Sequence, residues 1–215
     1  MATAGRPTPV VLLHSAGLTP QMWQSQVEAI GAERQVMAPW VAGLRPGRQG
    51  DLSLTGAAAQ LVDSLDVHGI EKAVLVGHQL GAMVALHVAA TEPERVAGLV
   101  VSGAMVTPGR MALALQKSLI RMLPNRTLAD SGATKADLIK ALDVIAGADL
   151  GAGLGRVQTE VLVIAGAGDP LLGAARQLAD RLPNAHLVEL PNAGAQPNLE
   201  QPAAYNAALM DFLRR

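Results

Sequence analysis

The stretch that most constrains this chain is "VLVGHQLGAMVAL", Val74 to Leu86. An apolar run, Ala73 to Val76, stops at Gly77, and an apolar helical pattern begins at Leu80 with no linker between them. A strand that passes into a helix through a Gly-x-x-x-Gly turn brings backbones close at both glycines, where a Cβ would be in the way. The same turn aims its middle residue, Gln79, into whatever cavity lies beyond the strand end.

The rest of the chain repeats the rhythm. Val10–Leu13, 35–38, 96–101, 161–165 and 186–190 are short apolar runs bounded by Gly, Pro or polar turn residues, which read as strands. Between them lie helical patterns. One starts at Thr19 as N-cap with Pro20 in first position, and Leu54–Val67 has a continuous apolar stripe. Others cover 80–90, 170–182 and 199–215. Alternation of this kind predicts an α/β fold: a mostly parallel sheet of about six strands flanked by helices. Residues 107–158 break the rhythm with two helical pieces, "RMALALQKSLIRML" and "KADLIKALDVIAG", separated by Pro124 and Gly132. They read as a short helical lid on a single domain, 1–215. Met105, Met111 and Met122 would suit an adaptable wall over an apolar cavity.

Composition narrows the function classes. The 215 residues are 50% hydrophobic and 16% charged, with a net charge of −1, so no electrostatic footprint for nucleic acid or anionic lipid is expected. No apolar run reaches the roughly 20 residues that span a bilayer, and no signal peptide is evident. With no cysteine, thiolate catalysis and cysteine-based zinc sites are excluded, and a cytoplasmic location is expected. The five histidines show no metal-ligand spacing. "GAGDPLLG", 166–173, lacks the third glycine of a dinucleotide fingerprint. No cofactor and no metal are therefore expected.

In a parallel sheet, ligands sit outside the carboxyl ends of the strands, so the turns after each strand matter most. They read His14-Ser15-Ala16-Gly17, Trp40 to Arg45, Gly77 to Ala82, Gly166 to Pro170, and "NAGAQPNLEQP" from Asn192. Their order resembles the α/β-hydrolase superfamily over nearly the whole chain, without that family's N-terminal strand pair. The resemblance implies a Gly-x-Ser-x-Gly nucleophile turn, then an Asp, then a His in "Gly-His-x-Pro-x-x-Glu-x-Pro". Here Gln79 fills the serine slot, Asp169 keeps the acid position, and Ala195 fills the histidine slot. Ser15 stands in the oxyanion loop where Gly is usual. Glutamine has neither a nucleophile nor a basic pair at neutral pH, so the triad is degenerate.

Each candidate has a functional and a plain reading. Gln79 is a substrate-binding amide or the remnant of a decayed turn. Asp169 is a general acid or base, or a helix N-cap before Pro170. His14 and His78 border the site and are loop struts or, for His14, a catalytic group. Trp40 is a core aromatic or a ring that stacks on a ligand; Arg45 and Arg48 read as solvated loop charges. His68, His87 and His186 read as structural. The Leu80 and Ala16 backbone N–H groups would form an oxyanion hole, with Ser15, His78, Ala195 and Gln196 around it. The expectation is a cofactor-free, non-hydrolytic catalyst of cyclisation, rearrangement or elimination on a small apolar carbonyl compound, with bacterial natural-product biosynthesis as a setting. The alternatives are a pseudo-hydrolase that binds a ligand or partner, with a homodimer one form of it, and residual esterase activity.

Overall fold

The computed structural model describes residues 7–45, 52–105, 110–124, 133–148, 150–151 and 153–215, with no description of the side chains of 110–112. Arg48, Thr107, Gly132 and the Met111 side chain lie outside the described residues.

Six strands form one sheet in the order β2-β1-β3-β4-β5-β6, and every neighbouring pair is parallel. They are β1 (Val10–Leu13), β2 (Val36–Met37), β3 (Ala73–His78), β4 (Val96–Ser102), β5 (Val161–Gly166) and β6 (Ala185–Leu190). Strands β1, β3 and β5 are buried throughout, and β4 at all but Ala97, as expected of strands covered on both faces. Strand β2 is shorter than its apolar run suggested, because only Val36 and Met37 find partners on β1.

Helices α1 (Gln24–Gly31), α2 (Leu54–Val67), α3 (Leu80–Thr91), α6 (Leu172–Arg181), α7 (Pro197–Glu200) and α8 (Pro202–Leu213) cover the sheet. Alternate strand residues face two separate cores. Val11, Leu13, Leu75 and Leu99 join α2 and α3 on one side. Val10, Leu12, Val74 and Val100 meet Trp23, Tyr205 and Phe212 on the other. Helix α3 is buried almost all round, which explains why its sequence is apolar on every face.

Three boundaries differ from expectation. Thr19 has extended backbone but does not cap with its side chain, and a 3-10 turn, Pro20–Trp23, precedes α1. Helix α6 begins two residues after Pro170. The closing helix is broken into α7 and α8 at Gln201, because Pro202 has no N–H to continue the ladder.

The two pieces between β4 and β5 are helices α4 (Arg110–Met122) and α5 (Lys135–Gly147). Thr134 caps α5 in a reciprocal capping box with Asp137. Leu138 of α5 packs over Gly17, where a Cβ would lie 2.8 Å from its Cδ2. Met105 packs against the α2–α3 core, but Met122 is 80% exposed. Among the described residues no helix is long and apolar enough to cross a membrane.

The N-terminal end of α3 presses directly on the end of β1. A Cβ at Gly81 would sit 2.6 Å from the Leu13 carbonyl carbon and 2.8 Å from the His14 oxygen. We predict that Gly81→Ala costs more than about 3 kcal/mol, since only backbone could move aside. Gly173→Ala, on α6 with nothing within 4 Å of the new carbon, should be neutral or stabilising by up to about 1 kcal/mol. Urea midpoints of the two variants check this; equal midpoints would remove the packing argument.

Candidate active site

The turn between β3 and α3 holds Gln79 at φ 45° and ψ −111°, a conformation that side chains rarely adopt. Two backbone bonds keep it there. The Gln79 N–H donates to the Ser102 carbonyl at 2.7 Å, and the Gln79 carbonyl accepts from the Met83 N–H at 3.0 Å. Gly77 allows the sharp return, since a Cβ there would lie 2.5 Å from Ala82 Cα. Gly103, also at positive φ, gives the glutamine room: a Cβ there would come within 3.0 Å of Gln79 Cγ. The side chain is half-buried, so the turn presents it at the edge of the site.

Two backbone N–H groups, one in this turn and one in the 14–17 loop, have no backbone acceptor among the described residues. Leu80 opens α3, so its N–H has no intrahelical acceptor. Ala16 lies in the 14–17 loop, and its N–H makes no backbone hydrogen bond. That loop is held by His14. The Val41 N–H donates to His14 Nε2 at 3.1 Å, so Nδ1 carries the proton and donates to the Ser15 carbonyl at 2.9 Å. Both ring nitrogens are thus occupied, and burial lowers the imidazole's pKa against weaker opposition from the Ser15 and Leu18 backbone. Held at both nitrogens, His14 has the geometry of the loop strut that is one of its two expected readings. Ser15 is buried with it.

The acid side is assembled from two loops locked by backbone. The Gly168 N–H donates to the Ala193 carbonyl and the Ala167 N–H to the Leu190 carbonyl, both at 2.9 Å. Gly166 permits the contact, because a Cβ there would lie 2.5 Å from Ala193 C. Asp169 is 7% exposed, and its Oδ1 accepts the Leu171 N–H at 2.7 Å. The carboxylate therefore ties the turn before α6 rather than capping the helix itself. Burial pushes its pKa up, the Leu171 bond pulls it down, and the nearby Glu200 charge pushes it up again.

Glu200, in the terminal motif, holds the loop before it. Its Oε2 accepts the Gly194 N–H at 2.6 Å and its Oε1 the Gln196 N–H at 2.9 Å. This clasp fixes Ala195, half-buried, between its two anchors, while Gln196 caps α7 through its backbone. The Glu-x-Pro spacing carried that signal, since it returns a carboxylate to the start of its own loop.

His78 has no solvent exposure, and neither ring nitrogen has a partner. Its Cε1 flanks the same space over Gly103 as Gln79. Burial lowers its pKa to about 4, against a smaller upward push from Glu200. It stays neutral at physiological pH and is sealed beneath the turn. His68 lies on a helix end and donates to or accepts from no catalytic residue; His87 is half-buried and His186 exposed. No metal-binding group of three or more side chains occurs among the described residues.

Trp40 is placed differently from the expected site wall. Its ring meets His14 edge-on, 5.1 Å between centroids at 86°. It walls a cavity of about 640 Å³ on the α2 side, to which Gln79, Asp169 and Ala195 contribute nothing.

We predict that His78 makes stability pH-dependent. Between pH 6.5 and about 4 the unfolded chain protonates this imidazole and the folded chain does not. Stability is therefore full above that window and falls as pH drops through it, by up to about 3 kcal/mol. Asp169 partly offsets the loss at the acid end, because its raised pKa favours the folded form there. Urea midpoints against pH should flatten in His78→Leu; an unchanged slope would assign the effect elsewhere.

The geometry can be set beside known proteins. "Putative carbamate hydrolase RutD" of Pseudomonas savastanoi pv. phaseolicola is 28% identical over 95% of this chain and 93% of its own. The pimeloyl-[acyl-carrier protein] methyl ester esterase of Aromatoleum aromaticum is 29% identical over 95% of this chain and 98% of its own. The crystal structure of a hydrolase from Pseudomonas aeruginosa superposes with a TM-score of 0.84, at 24% identity, over 100% of this chain and 92% of that one. The model of the alpha/beta hydrolase family matches residues 10–208, from the first strand to within the last helix. This chain belongs to the alpha/beta hydrolase family.

Proposed function

We propose that the protein is a cofactor-free catalyst acting on a small apolar carbonyl compound at the Gln79 turn, by cyclisation, rearrangement or elimination rather than through an acyl-enzyme. One observation carries the reading. The strained turn that in this family presents a serine holds a glutamine, φ 45°, while Ala195 occupies the clasped loop where a base would stand. A triad without serine and histidine loses on the order of 10⁶ in turnover. The oxygen-binding part of the site does not depend on them.

The Leu80 and Ala16 N–H groups and the Gln79 amide would receive the substrate's carbonyl oxygen. Asp169, ionised and with one carboxylate oxygen not used by Leu171, would take a proton from the carbon next to that carbonyl. The electron pair then rests on the oxygen as an enolate held by the three donors. Return of the proton to another carbon gives rearrangement; loss of a leaving group gives elimination. Raised by burial, the Asp169 pKa makes it a stronger base than a solvent-exposed carboxylate.

A second reading is favoured by the relatives' names, carbamate hydrolase and methyl ester esterase. In it, the same donors polarise an ester or carbamate and water attacks directly, with Asp169 as general base.

The test follows α-proton exchange of small ketones in heavy water by NMR, beside hydrolysis of an activated-ester panel. The native protein is predicted to catalyse exchange and leave esters intact, with the rate rising as pH climbs through the raised Asp169 pKa. Asp169→Asn should cut exchange by about 10² or more. Gln79→Ser/Ala195→His should gain ester hydrolysis, because the turn and the clasped loop are already built. Ester cleavage by the native protein that Asp169→Asn abolishes would favour the second reading. Neither activity in the native protein would sink both and leave a binding protein.

A further inference from the structure

The cavity beside α2 stands apart from the Gln79 turn and has a composition of its own. Its volume, about 640 Å³, is in the range that takes a small organic ligand. Buried Leu13, Val41, Leu61 and Ala57 form an apolar floor, and half-buried Trp40 forms one wall. Two exposed residues of opposite charge, Arg45 and Asp63, are also among those that line it. They do not pair with each other, and among the described residues neither has an ion-pair or hydrogen-bond partner.

We propose that this cavity binds a small zwitterion with an apolar body, of the chemistry of an apolar α-amino acid. The apolar floor and the indole take the side chain. The Arg45 guanidinium takes the carboxylate, and the Asp63 carboxylate takes the ammonium. A purely apolar ligand would leave both charges unmatched. A ligand with one charge would match one and meet the like charge of the other. A zwitterion uses the floor and both charges at once. The assignment is independent of the chemistry at Gln79, since the two sites share no lining residue.

The protein carries a convenient reporter. Its two tryptophans are Trp23, with no exposure, and Trp40, on the cavity wall, so ligand-dependent emission comes from Trp40. The experiment titrates the native protein with L-phenylalanine, 3-phenylpropanoate and 2-phenylethylamine, by emission and by calorimetry. Saturable binding of L-phenylalanine is expected, with each single-charge analogue about tenfold weaker. Arg45→Ala and Asp63→Ala should each weaken L-phenylalanine about tenfold, with unchanged melting temperatures because both side chains are exposed. Three results would overturn the proposal. One is no saturation by any of the three up to about 10 mM. Another is binding indifferent to both substitutions or equal for the analogues. The third is binding abolished by Gln79→Ala, which would place the ligand at the turn instead.

Discussion

The close approach of α3 to the end of β1 is the contact from which the site is built. Gly81 lies against the Leu13 carbonyl and Gly77 against Ala82, so strand and helix meet with no side chain between them. That proximity forces the intervening residue into positive φ, and the Ser102 and Met83 bonds hold it there. Such a conformation costs on the order of 1–3 kcal/mol in a residue with a Cβ. A glutamine that had become irrelevant would be under no physical need to stay, since glycine relieves the strain at that position. What remains is a rigid post with an amide at its tip, followed directly by the Leu80 N–H, which has no intrahelical acceptor.

The acid side shows that the frame does not depend on the residue at 195. In a working triad the histidine bridges acid and nucleophile, and its loss would be expected to loosen both loops. Here the locking is done by backbone. Ala167 and Gly168 donate into 190–193, and Glu200 accepts from both sides of Ala195. None of these bonds involves the side chain at 195 or the Asp169 carboxylate. The loops are therefore positioned whether or not the catalytic pair exists, and substitution at 195 leaves the geometry for a base in place.

What the sequence made legible follows the same division. Strands and most helices were readable because period and punctuation are local: Leu54–Val67 appears as its stripe predicts, and "GHQLG" makes the expected turn. Contacts between distant segments were not readable. Nothing near His14 shows that Val41, 27 residues away, takes its second nitrogen. Trp40 has the same difficulty, because which side of a loop a ring faces depends on α2 and not on its neighbours in sequence. Asp169 illustrates a nearer miss. Asp before Pro reads as a helix cap, and the carboxylate does bind a backbone N–H, but the helix starts later, at Leu172.

His14 joins the two halves of this picture. One nitrogen receives the Val41 N–H on the floor of the Trp40 cavity; the other donates to the Ser15 carbonyl, one residue before Ala16. A neutral imidazole with one donor and one acceptor can satisfy both bonds only in a single tautomer and ring orientation. Displacing Val41 therefore turns or strands the ring and moves the 14–17 loop, whereas a ligand that leaves Val41 in place does not. Burial enforces the arrangement further, because a charged imidazole here would face the Val41 N–H with a second donor. The strut is stiff because it is buried and neutral, and the 14–17 loop is only as well positioned as that strut allows.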